Sequence, residues 1–306
     1  MARRILITGA SGLIGTRLTE LLLRQGHQVV HVGRSQRPGG IPAYAWNVEK
    51  GTMEKGAMDS VDAIIHLAGA GIADKRWTTA RKKEILESRI QSIGLLYEAL
   101  EKGNHQVKSF VTASAIGYYG FGDDNEVFTE ASPAGVDFLA QVTKQWEEAS
   151  EKINSSGIRV VKLRIGIVLS EKGGVLKSMA RPIKLGLGAA LGNGRQYLSW
   201  IHLDDVCGIL IKAANDTSMR GVYNAVAPQP ATNLQMTRAI AKTLKKPLWL
   251  PAVPDFVLRL VLGEMAELVT TGSKVSSEKI RKAGFAFQFT ELESALSDLF
   301  GVHWVS

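Results

Sequence analysis

The stretch Thr8-Gly9-Ala10-Ser11-Gly12-Leu13-Ile14-Gly15 constrains this chain more than any other. It is entered through the apolar run Ile5-Leu6-Ile7 and followed by Leu18, Leu21 and Leu22 at helical spacing, so it reads as a buried strand, a glycine turn and a helix. Gly9 permits the tight turn, Gly12 lets the backbone approach an anion, and Gly15 lets the helix lie close to the sheet. The free N–H groups of the first helical turn then face that anion. The expected ligand is the pyrophosphate of a dinucleotide, touched by the three glycines together with Ser11, Leu13 and Ile14.

The rest of the chain reads as alternating strands and helices. Gln28 to Val32 is a second strand, Ala43 to Trp46 an edge strand, Ile64 to Leu67, Ser109 to Ser114 and Arg159 to Leu169 further strands. Amphipathic helices run from Thr78 to Lys102, with Ile85, Ile93 and Leu96 inward, and from Asp137, which serves as an N-cap. Pro38-Gly39 and Asp123-Asp124 mark loops. This order predicts an α/β fold with a Rossmann-like, doubly wound parallel sheet and a smaller C-terminal substrate lobe. The expected boundaries are residues 1–170 for the dinucleotide-binding core and 171–306 for the lobe, with roughly 198–216 returning to the core sheet.

Composition narrows the function classes. No apolar run reaches the roughly 20 residues that span a bilayer, and the N-terminus lacks a signal-peptide pattern, so a cytoplasmic chain without a membrane partner is expected. Cys207, the single cysteine, lies in an apolar helical context and reads as a buried, inert thiol. The net charge of +8 comes from scattered basic clusters without interleaved stacking aromatics, which argues against nucleic acid and for an anionic small molecule.

The strand after the first helix selects the cofactor. It ends in Gly33-Arg34-Ser35, and no carboxylate occurs from Gln28 to Trp46. An acid at this position holds a ribose 2′-hydroxyl, whereas an arginine accommodates a 2′-phosphate, so NADP (NADPH) is expected, with Arg34 and Ser35 beside the phosphate. Leu67, Ala68 and Gly69, and then Thr112, Ala113 and Ser114, end strands where a cofactor passes close to the backbone. His66, among apolar neighbours, reads as packed within its strand.

These motifs carry a resemblance. TGASGLIG, HLAG, VTASAIGYYG, a lysine-bearing helix and WIHLDDV, in that order, resemble the extended short-chain dehydrogenase/reductases typified by nucleotide-sugar epimerases. DFLAQVTKQWE, LRIGIVLSEKGGVL, GLGAALGNGRQYLSWIHLDD and AGFAFQFTELESAL are similar to an atypical branch, the NAD-dependent epimerase/dehydratase-like epimerase family proteins. The resemblance implies an NADP-dependent oxidoreductase or epimerase-like enzyme, with Lys144 at the position of the lysine that holds the nicotinamide ribose. Where the superfamily has its tyrosine and serine, this chain has Ala140 and Ala115, and neither methyl can move a proton. Tyr118, Tyr119 or His202 could supply the missing group; alternatively the chain is an NADP-binding sensor or regulator without turnover.

The substrate is expected on the C-terminal side. Gly186 to Gly194 is glycine-rich and reads as a lid, and Gln196 to His202 as a strand whose alternate residues line a pocket. Gln196, Trp200 and His202, together with Arg76 and Trp77, are the expected contacts for a small polar substrate, with a sugar-derived molecule among the candidates. Residues 253–270, apolar and helical in period, could close the cleft or face a second copy in a homodimer.

Overall fold

The computed structural model describes residues 2–35, 40–102, 105–122 and 126–302; the loop readings at Pro38-Gly39 and Asp123-Asp124 lie outside them. The chain begins as β1 (Arg4–Thr8), α1 (Leu13–Arg24), β2 (Gln28–Gly33), β3 (Ala43–Asn47), β4 (Thr52–Met53), β5 (Ala63–His66), α2 (Thr79–Lys102), β6 (Ser109–Ala115) and β7 (Val127–Phe128). Next come α3 (Phe138–Ser155), β8 (Arg159–Ile165), β9 (Ile167–Leu169), α4 (Gly174–Lys184), β10 (Tyr197–Leu198), β11 (Trp200–His202), α5 (Leu203–Asn215) and β12 (Gly221–Ala225). The remainder is β13 (Ala231–Thr232), α6 (Asn233–Thr243), α7 (Asp255–Leu262), α8 (Glu267–Thr270), β14 (Lys274–Val275), α9 (Glu278–Lys282) and α10 (Leu292–Leu299).

The main sheet has the order β12-β8-β6-β5-β1-β2-β3-β4 and is parallel throughout except for the β3–β4 pair. Strands buried on both faces must be apolar along their length, as Ile5, Leu6, Ile7, Ile64 and Ile65 are, all 0% exposed. α1 packs beside α5 in one layer and α2 beside α3 in the other. The strand order reverses between β1 and β5, and parallel sheets open a crevice at that switch point beyond the carboxyl ends of the strands.

One expectation about extent is corrected. The stretch from Arg159 to Leu169 is not one strand: Gly166 separates β8, which stays in the main sheet, from β9, which leaves it to pair with β11. A side chain at Gly166 would collide with the Ser199 carbonyl and Val226, so only glycine lets the two segments cross there. After the stretch 198–216 expected to return to the core, β12 pairs in parallel with β8 along its whole length, from Gly221 to Ala225. Residues beyond it belong partly to the core as well, since Ile280 of α9 is fully buried in the main cluster.

A second cluster unites Leu176 and Ile183 of α4, Met236 and Ile240 of α6, and Leu292 and Leu296 of α10 into the lobe. Within it, α6 starts from a full capping box, in which Thr232 accepts from the Gln235 N–H and Gln235 answers the Thr232 N–H. Residues 253–270 form α7, a short 3₁₀ turn and α8; on α7 Phe256, Leu260 and Val261 are exposed. Among the described residues no helix is long and apolar enough to cross a membrane.

Candidate functional site

At the switch point lies a cavity of about 400 Å³ lined by Gly9, Gly12, Leu13, Ile14, Gly15, Leu67 and Ala113. Gly166, Ile167, Val168, Gly174 and Val175 line it too. The turn is built to exclude side chains. Gly9 has φ +70°, and a Cβ there would sit 2.7 Å from the Leu67 carbonyl carbon and 2.9 Å from the Ala68 nitrogen. A Cβ on Gly15 would collide with the Gly9 carbonyl oxygen and lie 2.6 Å from the Ala10 Cα. Gly12 caps α1 without a side-chain hydrogen bond, so the first-turn N–H groups remain open to a ligand.

The cradle is held from beneath by a polar column. The Thr8 hydroxyl accepts from the N–H groups of Leu67 (3.2 Å) and Ala68 (3.3 Å) and meets His66 Nδ1 at 2.7 Å. His66 Nε2 faces the Ser92 hydroxyl at 3.2 Å. His66 is fully buried, and burial with the charge of Arg89 holds its pKa down at about 3, so it is a neutral packed histidine, as expected from its neighbours. Cys207 is equally buried, and burial raises its thiol pKa, which leaves it an inert core side chain.

Of the residues expected at a cofactor, the structure brings Gly9, Gly12, Leu13, Ile14, Gly15, Leu67 and Ala113 around one cavity. Ser11 is exposed in the turn, and Arg34 and Ser35 are exposed just past β2. Thr112 is turned inward with its hydroxyl on the Ala113 carbonyl at 3.0 Å, and Ser114 donates to Glu147 Oε1 at 2.6 Å. Lys144 projects from α3 with its side chain 59% exposed and 4.0 Å from Glu148. Ala140, one turn before it, is fully buried.

The loop after β6 carries the two tyrosines. Tyr119 is buried, donates to Asn224 Oδ1 at 2.6 Å, and has its pKa pushed up to about 12 by burial. Its hydroxyl is thus committed to the β12 side rather than to the cavity. Tyr118 lies under the Arg164 guanidinium, 3.3 Å from Cζ to the ring centroid. Arg164 in turn makes two hydrogen bonds to Glu147, at 2.8 and 2.9 Å, and the pair is buried. Sequence reasoning missed this pair, although an arginine in the buried strand Arg159–Ile165 needs a partner, and a glutamate three residues after Lys144 supplies it. It also missed the wall made by Gly166, Gly174 and their neighbours, whose signal was a second glycine cluster directly after a buried strand.

The expected substrate contacts do not converge. Trp200, expected as a pocket residue, is fully buried in the lobe cluster. The segment from Gln196 to His202 is split at Ser199 into β10, paired with β13, and β11, paired with β9, so alternate residues do not share one face of a sheet. Gln196 donates to the carbonyls of Leu191 (3.0 Å) and Val269 (2.6 Å). His202 is buried against Phe289, with ring centroids 3.9 Å apart, and its Nδ1 accepts from the Asp204 N–H at the start of α5. Trp77 is buried and donates to the Ile72 carbonyl at 2.9 Å, while Arg76 lies beside Gly263 near the Leu260 carbonyl. The glycine-rich run expected to be a lid is tied down instead: Gly192 donates to the Val253 carbonyl at 2.9 Å and Leu191 to Asn233 Oδ1 at 2.9 Å. Among the described residues no group of His, Cys, Asp and Glu is placed to hold a metal.

Comparison with known proteins agrees with this architecture. Residues 5–225 match the NAD dependent epimerase/dehydratase family, and residues 253–299 match a domain of unknown function. An epimerase family protein of Mycobacterium leprae is 36% identical over 294 residues, covering 96% of this chain and 94% of its own length. The mouse epimerase family protein SDR39U1 is 35% identical, with 97% of this chain and 99% of the relative covered. The crystal structure of human SDR39U1 with NADPH superposes with a TM-score of 0.87 at 33% identity, over 97% of this chain and 98% of that one. A glycine cradle at the switch point of a parallel sheet, matched along nearly its whole length by such relatives, makes this chain a member of the NAD dependent epimerase/dehydratase family.

Proposed function

We propose that the protein binds NADP(H) and is an oxidoreductase or epimerase-like enzyme acting on a small polar substrate without the usual tyrosine–lysine pair. The observation that carries this is the cradle itself: Gly9 and Gly15 leave no room for a Cβ, and α1 points uncapped N–H groups into the space they open. The donor set fits a dinucleotide phosphate, since backbone N–H groups at a helix start and an arginine past β2 suit anions, and no acid follows β2 up to Trp46. The human relative crystallised with NADPH favours the same cofactor.

In this reading the turn from Gly9 to Gly15 holds the pyrophosphate, Arg34 the 2′-phosphate, and Leu67 to Gly69 the neighbouring ribose. Lys144 orients the nicotinamide ribose. When bound, the nicotinamide supplies hydride transfer. This chain's own residues position the ring and move the proton, and Tyr118 is the residue assigned that proton, since the Tyr119 hydroxyl is occupied by Asn224.

Titration with NADPH and NADH, followed by nucleotide fluorescence, tests the reading. Wild type binds NADPH more tightly, and Arg34→Ala narrows the difference by about tenfold through loss of one close ion pair. Equal wild-type affinities for the two nucleotides overturn the assignment of Arg34. Tyr118→Phe retains NADPH affinity and loses NADPH oxidation with a carbonyl or nucleotide-sugar substrate; unchanged oxidation removes Tyr118 from the mechanism.

A further inference from the structure

α2 turns two arginines inward where a core helix ordinarily carries aliphatic side chains. Arg81 is 7% and Arg89 6% exposed. Their surroundings differ. Arg81 has carboxylates within reach, Glu84 at 2.6 Å and Asp74 at 3.8 Å. Arg89 has none among the described residues. Its Nη1 donates to the carbonyls of Ile85 (2.8 Å) and Ala70 (3.1 Å), and its guanidinium stacks 4.9 Å above the Trp146 ring. Arg89 Nε and Trp146 Nε1 are both buried and both lack a hydrogen-bond acceptor.

Arg89 therefore carries a positive charge with no carboxylate to balance it, and two donors beside it, its own Nε and Trp146 Nε1, have no acceptor among the described residues. Burial and the like charge of Arg81 push the Arg89 pKa down to about 10, which still leaves it protonated at neutral pH. A buried cation without a counter-ion destabilises the free protein. The glycine turn is one strip of backbone away. A Cβ on Gly69 would meet Arg89 Cζ at 3.3 Å, while a Cβ on Gly9 would meet the Leu67 carbonyl carbon at 2.7 Å. The strip from Leu67 to Ala70 thus touches the glycine turn at one end and Arg89 at the other. Ser88 holds the same strip, its hydroxyl accepting from the Ala70 N–H at 3.0 Å.

We propose that Arg89 is a positioning residue of the cofactor site, which clamps the Ala70 carbonyl and supplies from beneath the strip the positive charge that the pyrophosphate neutralises. The inference rests on the NADP(H) reading above. It goes beyond it in giving the cofactor an electrostatic partner that it does not touch. Charge–charge interactions persist over such a separation because the intervening protein screens them less than water does.

The experiment compares Arg89→Gln and Arg89→Lys with wild type, titrating NADPH and NADH against the full chain after circular dichroism has verified the fold. Arg89→Gln keeps a hydrogen-bond donor and drops the charge, so it weakens both nucleotides by a common factor of about ten. Arg89→Lys keeps the charge and stays within about threefold of wild type. Arg34→Ala, by contrast, weakens NADPH alone. An Arg89→Gln protein that binds within twofold of wild type overturns the proposal, as does an Arg89→Lys protein that loses as much as the glutamine variant. If Arg89→Gln does not fold, the lysine variant decides by itself, because a tenfold loss with the charge retained overturns it and near wild-type binding supports it. Wild type that binds neither nucleotide refutes the cofactor reading instead, and so the two failures are distinguishable.

Discussion

His66 shows at the scale of one residue how the floor of the cradle is made. A histidine in a fully buried strand must stay neutral, and here both ring nitrogens are placed against hydroxyls, Thr8 on one side and Ser92 on the other. The linkage follows from the sign of the shift. The folded pKa of about 3 lies below the unfolded value of about 6.5, so below pH 6.5 the unfolded chain takes up a proton that the folded one refuses. This residue therefore lowers stability progressively as pH falls from 6.5 toward 3, by about 2 kcal/mol at pH 5. Urea melts of His66→Gln should show a stability loss between pH 7.5 and 5 that is smaller by about that amount; an unchanged loss would refute the buried neutral state. The residue was legible as packed from its neighbours alone. The same neighbours did not reveal Arg89 or Arg164, because a lone arginine within a helical or strand pattern looks the same whether it faces solvent or core.

Elements join across the fold through few, well-placed contacts. Arg17 of α1 forks onto Asp204 of α5 at 2.7 and 2.8 Å, and the two helices form one layer around it. Asp204 also lies in the first turn of α5, where the helix field favours a negative charge. The Arg17 guanidinium holds the Asp204 carboxyl below its usual range, so this contribution is present above the unfolded value of about 3.9 and is lost as pH falls through the folded pKa. Both side chains keep about a quarter of their exposure, 26% and 24%, so screening limits the pair to about 1 kcal/mol. Asp204→Asn should lower the unfolding free energy from urea melts by that much at pH 7, and by progressively less as the pH falls below the unfolded value.

Most such elements were legible, since a period of two or of 3.6 identifies a strand or a helix, and Asp137 and Thr232 announce their helices by chemistry. What periodicity could not give was which sheet a strand joins. Residues 196–202 carry a strand pattern throughout, yet Ser199 ends one pairing and begins another. Its hydroxyl donates to the Ser273 carbonyl and accepts from the Val275 N–H, partners more than 70 residues away. Long-range contacts of that kind decided the split, and they leave no local trace.

For the molecule as a whole, the lobe is not separable from the core. Ile280 belongs to the main cluster, Val275 packs with Tyr119 and Phe128, and the buried Asp205 carboxylate accepts the N–H groups of Gln288 (2.8 Å) and Phe289 (3.1 Å). The last segment thus packs against the core as well as against the lobe, on both sides of the boundary expected at residue 170 from the order of strands and helices. A chain ending at residue 252 should lack two-state urea unfolding and be cleaved rapidly by a low concentration of protease. Cooperative unfolding of that fragment would show that residues 253–299 form an independent unit.

The Asp205 carboxylate has a further consequence during synthesis. Its acceptors wait for amides 83 and 84 positions downstream, and a chain leaving the ribosome presents α5 well before those amides emerge. At about 5–20 residues per second, the carboxylate and the seam around Ile280 stay open to solvent and to chaperones for several seconds. Closure of that seam waits for Gln288 and Phe289, whose arrival acts as its latch.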